Sequence, residues 1–199
     1  MGDSLCRVAP LVRGLNVIGD VGAIVHCWHE PALVCPVSDG AAGPLVIETK
    51  DRTEERLTGA YTQYCRKHGY HPAIISFGEG GFLSVGSDFD RAVANGRTYM
   101  QAGSTPLSES FVYPGEPSPT HSFAIEGRTT VGAGRIAVVT GGAQGFGESL
   151  VRELAAAGAV VWIADINLKG AECLAEELNG RGGKTIAFPV EVNVAEEES

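Results

Sequence analysis

The chain has 199 residues, 44% of them hydrophobic and 20% charged, and a formal net charge of −9. That is enough for one ordinary domain or two small ones with a buried core, and it excludes a disordered chain. The acidic balance argues against a nucleic-acid partner, and no apolar run reaches the length of a membrane span.

The five cysteines, at 6, 27, 35, 65 and 173, are odd in number and contain no Cys-x-x-Cys, which fits reduced thiols better than a disulfide framework. Met1 to Arg7 has no charged-then-apolar leader pattern, so a cytoplasmic location is expected.

In chain order, residues 4–15 read as a short amphipathic helix interrupted by Pro10. Gly22–Trp28 reads as a buried strand, Pro31–Val37 as ambiguous between two prolines, and Pro44–Glu48 as a further short strand. Asp51–His68 is a helix, with Leu57, Ala60, Tyr61 and Tyr64 at helical spacing. Ala73–Phe77 and Phe82–Val85 are strands joined by the Gly78–Gly81 turn. Ser87 is placed to cap a helix whose Phe89, Val93 and Met100 face a core. Residues 1–101 thus form a small α/β region. Residues 102–133, rich in Pro, Gly and Ser, read as a linker.

From residue 134 to 199 the pattern is regular: strand 135–140, helix 146–157, strand 160–164, helix 168–180, strand 185–192. Alternation with short connections predicts right-handed crossovers and a parallel sheet. The fold class is α/β, a partial Rossmann-type βαβαβ sheet preceded by the small α/β region. The strand at 135–140 is left with one unpaired side, an edge that calls for the N-terminal part, an oligomer partner or a complementing C-terminal half.

The first strand runs into Gly141-x-x-x-Gly145-x-Gly147. One glycine allows the tight turn, one lets backbone approach a pyrophosphate, and one lets the helix pack on the sheet. The helix then starts with free N–H groups and the positive end of its dipole, which suits a phosphate. Gly141, Gln144, Gly145, Phe146 and Gly147 are expected around the pyrophosphate. Asp165 ends the next strand, 18 positions after Gly147, and Ile166 follows it. A carboxylate there accepts hydrogen bonds from ribose hydroxyls and repels a 2′-phosphate, so NAD is expected rather than NADP.

Thr140-Gly141-Gly-Ala-Gln-Gly145-Phe-Gly147 resembles the Thr-Gly-x-x-x-Gly-x-Gly signature of short-chain dehydrogenases/reductases, and Ala164-Asp165 is similar to their NAD-selecting strand end. The resemblance implies that Asn193 and Val194 lie beside the adenine, with Asn193 standing where the family usually has Asp. It implies an oxidoreductase acting on an alcohol or sugar-derived ketone. More weakly, Arg7–Gly14, Ala23–His26 and Ala73–Gly86 resemble the part of fused class II aldolase/short-chain dehydrogenase proteins that lies between the metal site and the dehydrogenase.

The family's chemistry needs a Tyr lowered in pKa by a Lys four residues on, with a nearby Ser. The tyrosines at 61, 64, 70, 99 and 113 are followed at that spacing by Cys65, His68, Ile74, Gly103 and Pro117, so no catalytic residue is expected here and the chain is read as truncated. His26-x-x-His29 and His68-x-x-His71 lack metal-site spacing, so no metal is expected. The alternatives are a non-catalytic dinucleotide-binding or interaction module, and a remnant aldolase-like sugar-phosphate-binding region.

Overall fold

The computed structural model describes residues 3–16, 23–29, 44–47, 53–69, 71–102, 131–132 and 134–196. The ambiguous stretch Pro31–Val37 and nearly all of the linker at 102–133 lie outside the described residues. The chain forms two compact units, Met1–Ala124 and Ile125–Ser199.

The first unit begins with helix α1 (Asp3–Leu15), which runs through Pro10 rather than breaking there. Pro10 and Cys6, whose carbonyl loses its helical partner, both lie on the exposed side. Leu5, Val8 and Val12 are buried on the other. Each such burial is worth about 1.5–3 kcal/mol, which together outweighs the roughly 3 kcal/mol cost of an interior proline.

Strands β1 (Ile24–Trp28), β2 (Leu45–Val46), β3 (Ile74–Ser76) and β4 (Phe82–Gly86) form a sheet of order β1-β4-β3-β2. The β2–β3 pair is parallel, and the other two pairs are antiparallel. Helix α2 (Glu54–His68) connects β2 to β3, and a 3₁₀ turn at Gly78–Gly80 connects β3 to β4. That antiparallel connection is a hairpin-type turn between strands, not a strand-to-helix nucleotide turn.

One sheet face carries Val25, Cys27, Ile75, Leu83 and Val85 against α1 and α2. The other carries Trp28, which approaches helix α3 (Phe89–Ala102) at Gly96. The buried positions of α3 are Ala92, Asn95, Gly96 and Tyr99, whereas Phe89, Val93 and Met100 are only half-buried. The helix packs by close approach: a Cβ on Gly96 would collide with the Trp28 ring, and one on Gly86 with the Ala92 backbone. Small residues thus set the approach at Ala92 and Gly96, and the buried Tyr99 packs edge-on to Phe82 at 4.9 Å. Asp88, not Ser87, caps α3, its Oδ1 accepting from Arg91 N at 2.9 Å.

A buried polar chain links three segments of this unit. Asn16 Nδ2 donates to Val12 O at 2.7 Å, and Tyr61 donates to Asn16 Oδ1 at 2.6 Å. His71 Nδ1 lies 2.9 Å from the Tyr61 oxygen. Because the single phenol proton goes to Asn16, His71 is the donor and carries its proton on Nδ1.

The second unit holds strands β5 (Ile136–Thr140), β6 (Val160–Asp165) and β7 (Ala187–Glu191), all parallel and in that order. Helices α4 (Gly145–Ala156) and α5 (Leu168–Gly182) make the two crossovers. Val151, Ala155, Ala171, Leu174, Ala175 and Leu178 from these helices pack with Val139, Val161, Ile163 and Ala187 of the strands. Both helices thus cover one face, as two successive crossovers of one hand require. On the opposite face Val138 is 67% exposed and pairs with Trp162, which stacks on Phe188 at 5.2 Å. Asn179 fastens α5 to the start of β7: its Oδ1 accepts from Ile186 N and Ala187 N, each at 2.9 Å. This is a partial Rossmann-type βαβαβ unit, preceded by a small α/β unit.

Candidate functional site

The site lies at the carboxyl ends of β5, β6 and β7, the end at which open parallel α/β sheets bind ligands. The chain leaves β5 through Gly141, at φ +68°, and enters α4 through Gly145, at φ +61°. Both conformations favour glycine. Gly141 N donates to Ala164 O at 2.8 Å, so the turn stays tied to β6. Gly142 is buried against Val139 O, Ile163 and Val151.

The two glycines at the start of α4 differ. A Cβ on Gly147 would collide with the Gly141 carbonyl, so this position sets how closely the helix packs on the loop. A Cβ on Gly145 would meet nothing within 4 Å. Backbone at Gly145 is therefore open to an approaching group, next to the helix's unsatisfied N–H groups. Gln144 is extended at the N-cap and makes no side-chain cap bond, and Phe146 is 97% exposed.

Asp165, at the end of β6, is 7% exposed. Its Oδ2 accepts from Ala143 N at 2.9 Å, and its Oδ1 from Asn167 N at 2.9 Å. The amide of Asn167, then those of Ala143 and Ile166, hold the carboxyl below the usual carboxylate range against the opposing effect of burial. An ionised carboxylate has about four acceptor positions, so capacity remains for a hydroxyl. Asn167 also caps α5, accepting from Gly170 N at 3.1 Å.

The predicted residues do not all behave alike. Gly141, Gln144, Gly145, Phe146 and Gly147 lie together in one loop and first helical turn, and Asp165 is joined to that loop through Ala143. Ile166, 67% exposed, and Val194, 77% exposed, follow the ends of the paired strands β6 and β7. Asn193 is engaged locally: Nδ2 donates to Glu196 Oε1 at 2.9 Å, and Oδ1 accepts from Ala195 N at 3.1 Å. Ala143 was not foreseen, because it contributes a backbone amide that residue type does not reveal.

Glu148, in the first turn of α4, would place negative charge near a phosphate. It accepts from Arg152, which also bonds Glu177 of α5 at 2.8 and 2.9 Å. Glu177 and then Glu148 hold the Arg152 guanidinium well above its ordinary pKa, so the cluster stays ionised. Among the described residues no three His, Cys, Asp or Glu side chains gather as metal ligands, and no helix is long and apolar enough to cross a membrane.

Residues 135–199 match the family model for short chain dehydrogenase. An uncharacterized oxidoreductase of Bacillus subtilis, YuxG, is 29% identical over 140 residues, covering 64% of this chain and 20% of its own length. The 2,3-dihydro-2,3-dihydroxybenzoate dehydrogenase of the same organism is 41% identical over 59 residues, 30% of this chain and 23% of its own. Among solved structures, sorbitol-6-phosphate 2-dehydrogenase SrlD from Erwinia amylovora is 41% identical over 32% of this chain and 25% of that one, with a TM-score of 0.31. The chain spans about a fifth of the length of these curated relatives. The family match and the oxidoreductase relatives together support a short-chain dehydrogenase segment at residues 135–199.

Proposed function

We propose that the second unit binds NAD as the cofactor-binding portion of a short-chain dehydrogenase-type oxidoreductase acting on an alcohol or sugar-derived ketone. The observation that carries this reading is the Asp165 carboxylate beside a glycine loop whose Gly145 backbone is open on its outer side. The pyrophosphate lies over residues 141–147, with the Gly145, Phe146 and Gly147 amides as donors. The adenine ribose hydroxyls donate to Asp165, and the adenine lies between Ile166 and the Asn193–Val194 turn. Asp165 favours NAD over NADP because its charge opposes a 2′-phosphate, and the residues after it, Ile166, Asn167 and Leu168, offer no cation. When bound, the nicotinamide accepts or supplies the hydride. The 199 residues contain no Tyr with Lys four positions on, so the proposal for these residues is cofactor binding, and turnover belongs to the whole protein.

The similarity to the B. subtilis oxidoreductase covers 64% of the chain, more than residues 135–199 alone provide, so it extends into residues ahead of 135. That favours a reading of the first unit as belonging with the second in one oxidoreductase rather than as an independent module.

Calorimetric titration with NADH tests the proposal. Saturable binding that is weaker for NADPH and reduced by Asp165→Ala is expected. Absence of NADH binding by the folded chain overturns it. Binding that Asp165→Ala leaves unchanged removes Asp165 from the ribose.

A further inference from the structure

We propose that Cys65 and His71 bind a divalent ion of the zinc type, with Tyr61 as a third, weaker donor. Tyr61 and Cys65 are one turn apart on α2, so their side chains share a face. The helix ends at Gly69, whose left-handed conformation (φ +79°) and N–H bond to Cys65 O turn the chain back. His71 then meets that same face. Its Nδ1 lies 3.6 Å from Cys65 Sγ and 2.9 Å from the Tyr61 oxygen. His68 is engaged elsewhere, its ring lying 4.5 Å from that of Tyr64 between centroids.

These separations suit one ion. A thiolate sulfur about 2.3 Å and an imidazole nitrogen about 2.0–2.1 Å from a tetrahedral zinc stand roughly 3.5–3.6 Å from each other. That is the separation found between Cys65 Sγ and His71 Nδ1. An oxygen and a nitrogen on the same ion stand roughly 3.3 Å apart, so the Tyr61–His71 contact need open only slightly. Tyr61 donates its proton to Asn16 and therefore offers a lone pair, not a charge. Cys65 and His71 are half-buried, which leaves an ion a way in from solvent. No third His, Cys, Asp or Glu joins them among the described residues, so the fourth position is left to water.

Thiolate and imidazole together select zinc and its neighbours over magnesium or calcium, which prefer oxygen. Binding exchanges one thiol proton and involves no electron transfer. The Cys65 S–H bond breaks, a sulfur–metal bond forms, the proton passes to solvent, and the ion gives up water. On His71 the ring proton moves from Nδ1 to Nε2, and the freed Nδ1 lone pair takes the metal. The bound ion would pin the end of α2 to the segment that leads into β3. The site lies in the first unit and stands apart from the dinucleotide reading of the second.

The test titrates the full chain, reduced and metal-free, with Co²⁺ as a coloured stand-in for Zn²⁺. A near-ultraviolet thiolate-to-cobalt band that saturates at one ion per chain and is bleached by Zn²⁺ is expected. Cys65→Ser should abolish the band, and His71→Asn should weaken binding about tenfold or more. A band that survives Cys65→Ser comes from another thiol and overturns the proposal. So does an affinity that His71→Asn leaves unchanged, or no band in the unsubstituted chain. Alkylation of the unsubstituted chain, followed by peptide mapping, decides the matter even where a variant folds poorly. Zn²⁺ should slow labelling of Cys65 while leaving that of the exposed Cys6 and Cys173 unchanged. Equal slowing at all three, or none at Cys65, overturns the proposal.

Discussion

Asp165 and Ala143 are 22 positions apart, yet the Asp165 carboxylate accepts the Ala143 amide at 2.9 Å. The residue expected to choose the cofactor therefore also holds the loop proposed to cradle it. Asp165→Ala frees the buried Ala143 amide as well as that of Asn167. The expected loss of stability is about 2 kcal/mol by urea denaturation, and Asp165→Asn, which keeps an acceptor, loses less. An Asp165→Ala chain as stable as its parent contradicts this coupling.

The same bonds set a pH dependence. The folded-state pKa of Asp165 is depressed, first by the Asn167 amide and then by that of Ala143. Its stabilisation is complete above the unfolded carboxylate value of about 3.9 and is lost as pH falls through the lower folded value. Urea midpoints of the second unit should drop in that acid range, and Asp165→Asn should flatten the slope.

His71 produces a different window in the first unit. Burial lowers its pKa, so the unfolded chain takes up a proton more readily than the folded one. Stability should fall as pH drops below about 6.5, the unfolded value, and level off below the folded one. The side chains at its Nδ1 are Tyr61 and Cys65, both with pKa values raised by burial, so neither titrates in that window. Unfolding midpoints measured between about pH 5 and pH 8 on His71→Asn, which removes the titrating group, should lose this slope.

The loop glycines should separate binding from folding. Gly147→Ala drives a methyl into the Gly141 carbonyl and should cost more than about 2 kcal/mol in stability. Gly145→Ala meets no atom but must hold φ near +61°, a strain of roughly 1–2 kcal/mol. Its methyl stands on the open side, where the pyrophosphate is proposed to lie. NADH affinity should therefore fall further than stability for Gly145→Ala, while Gly147→Ala loses both together.

The second unit was readable from the sequence because its strands, its glycine turn and its helices each advertise themselves locally. Thr140 to Gly147 and Val160 to Asp165 took the expected places. What escaped was long-range or rested on small residues. The contact face of α3 runs through Ala92, Asn95, Gly96 and Tyr99, of which only Tyr99 is large and apolar. Pro10 breaks no helix because three buried side chains on the opposite side hold α1 down. The Asp165–Ala143 bond joins a carboxylate to a backbone amide, and no residue type announces an amide.

The chain has two tryptophans, and each unit holds one. Trp28 lies against Gly96 and donates to Ser84 Oγ at 2.7 Å, while Trp162, on the sheet face opposite α4 and α5, is 40% exposed. Their emission should differ in colour, Trp28 to the blue and Trp162 to the red. Chains retaining a single tryptophan, Trp28→Phe or Trp162→Phe, would thus let each unit's melting be followed in the intact protein, with no label attached.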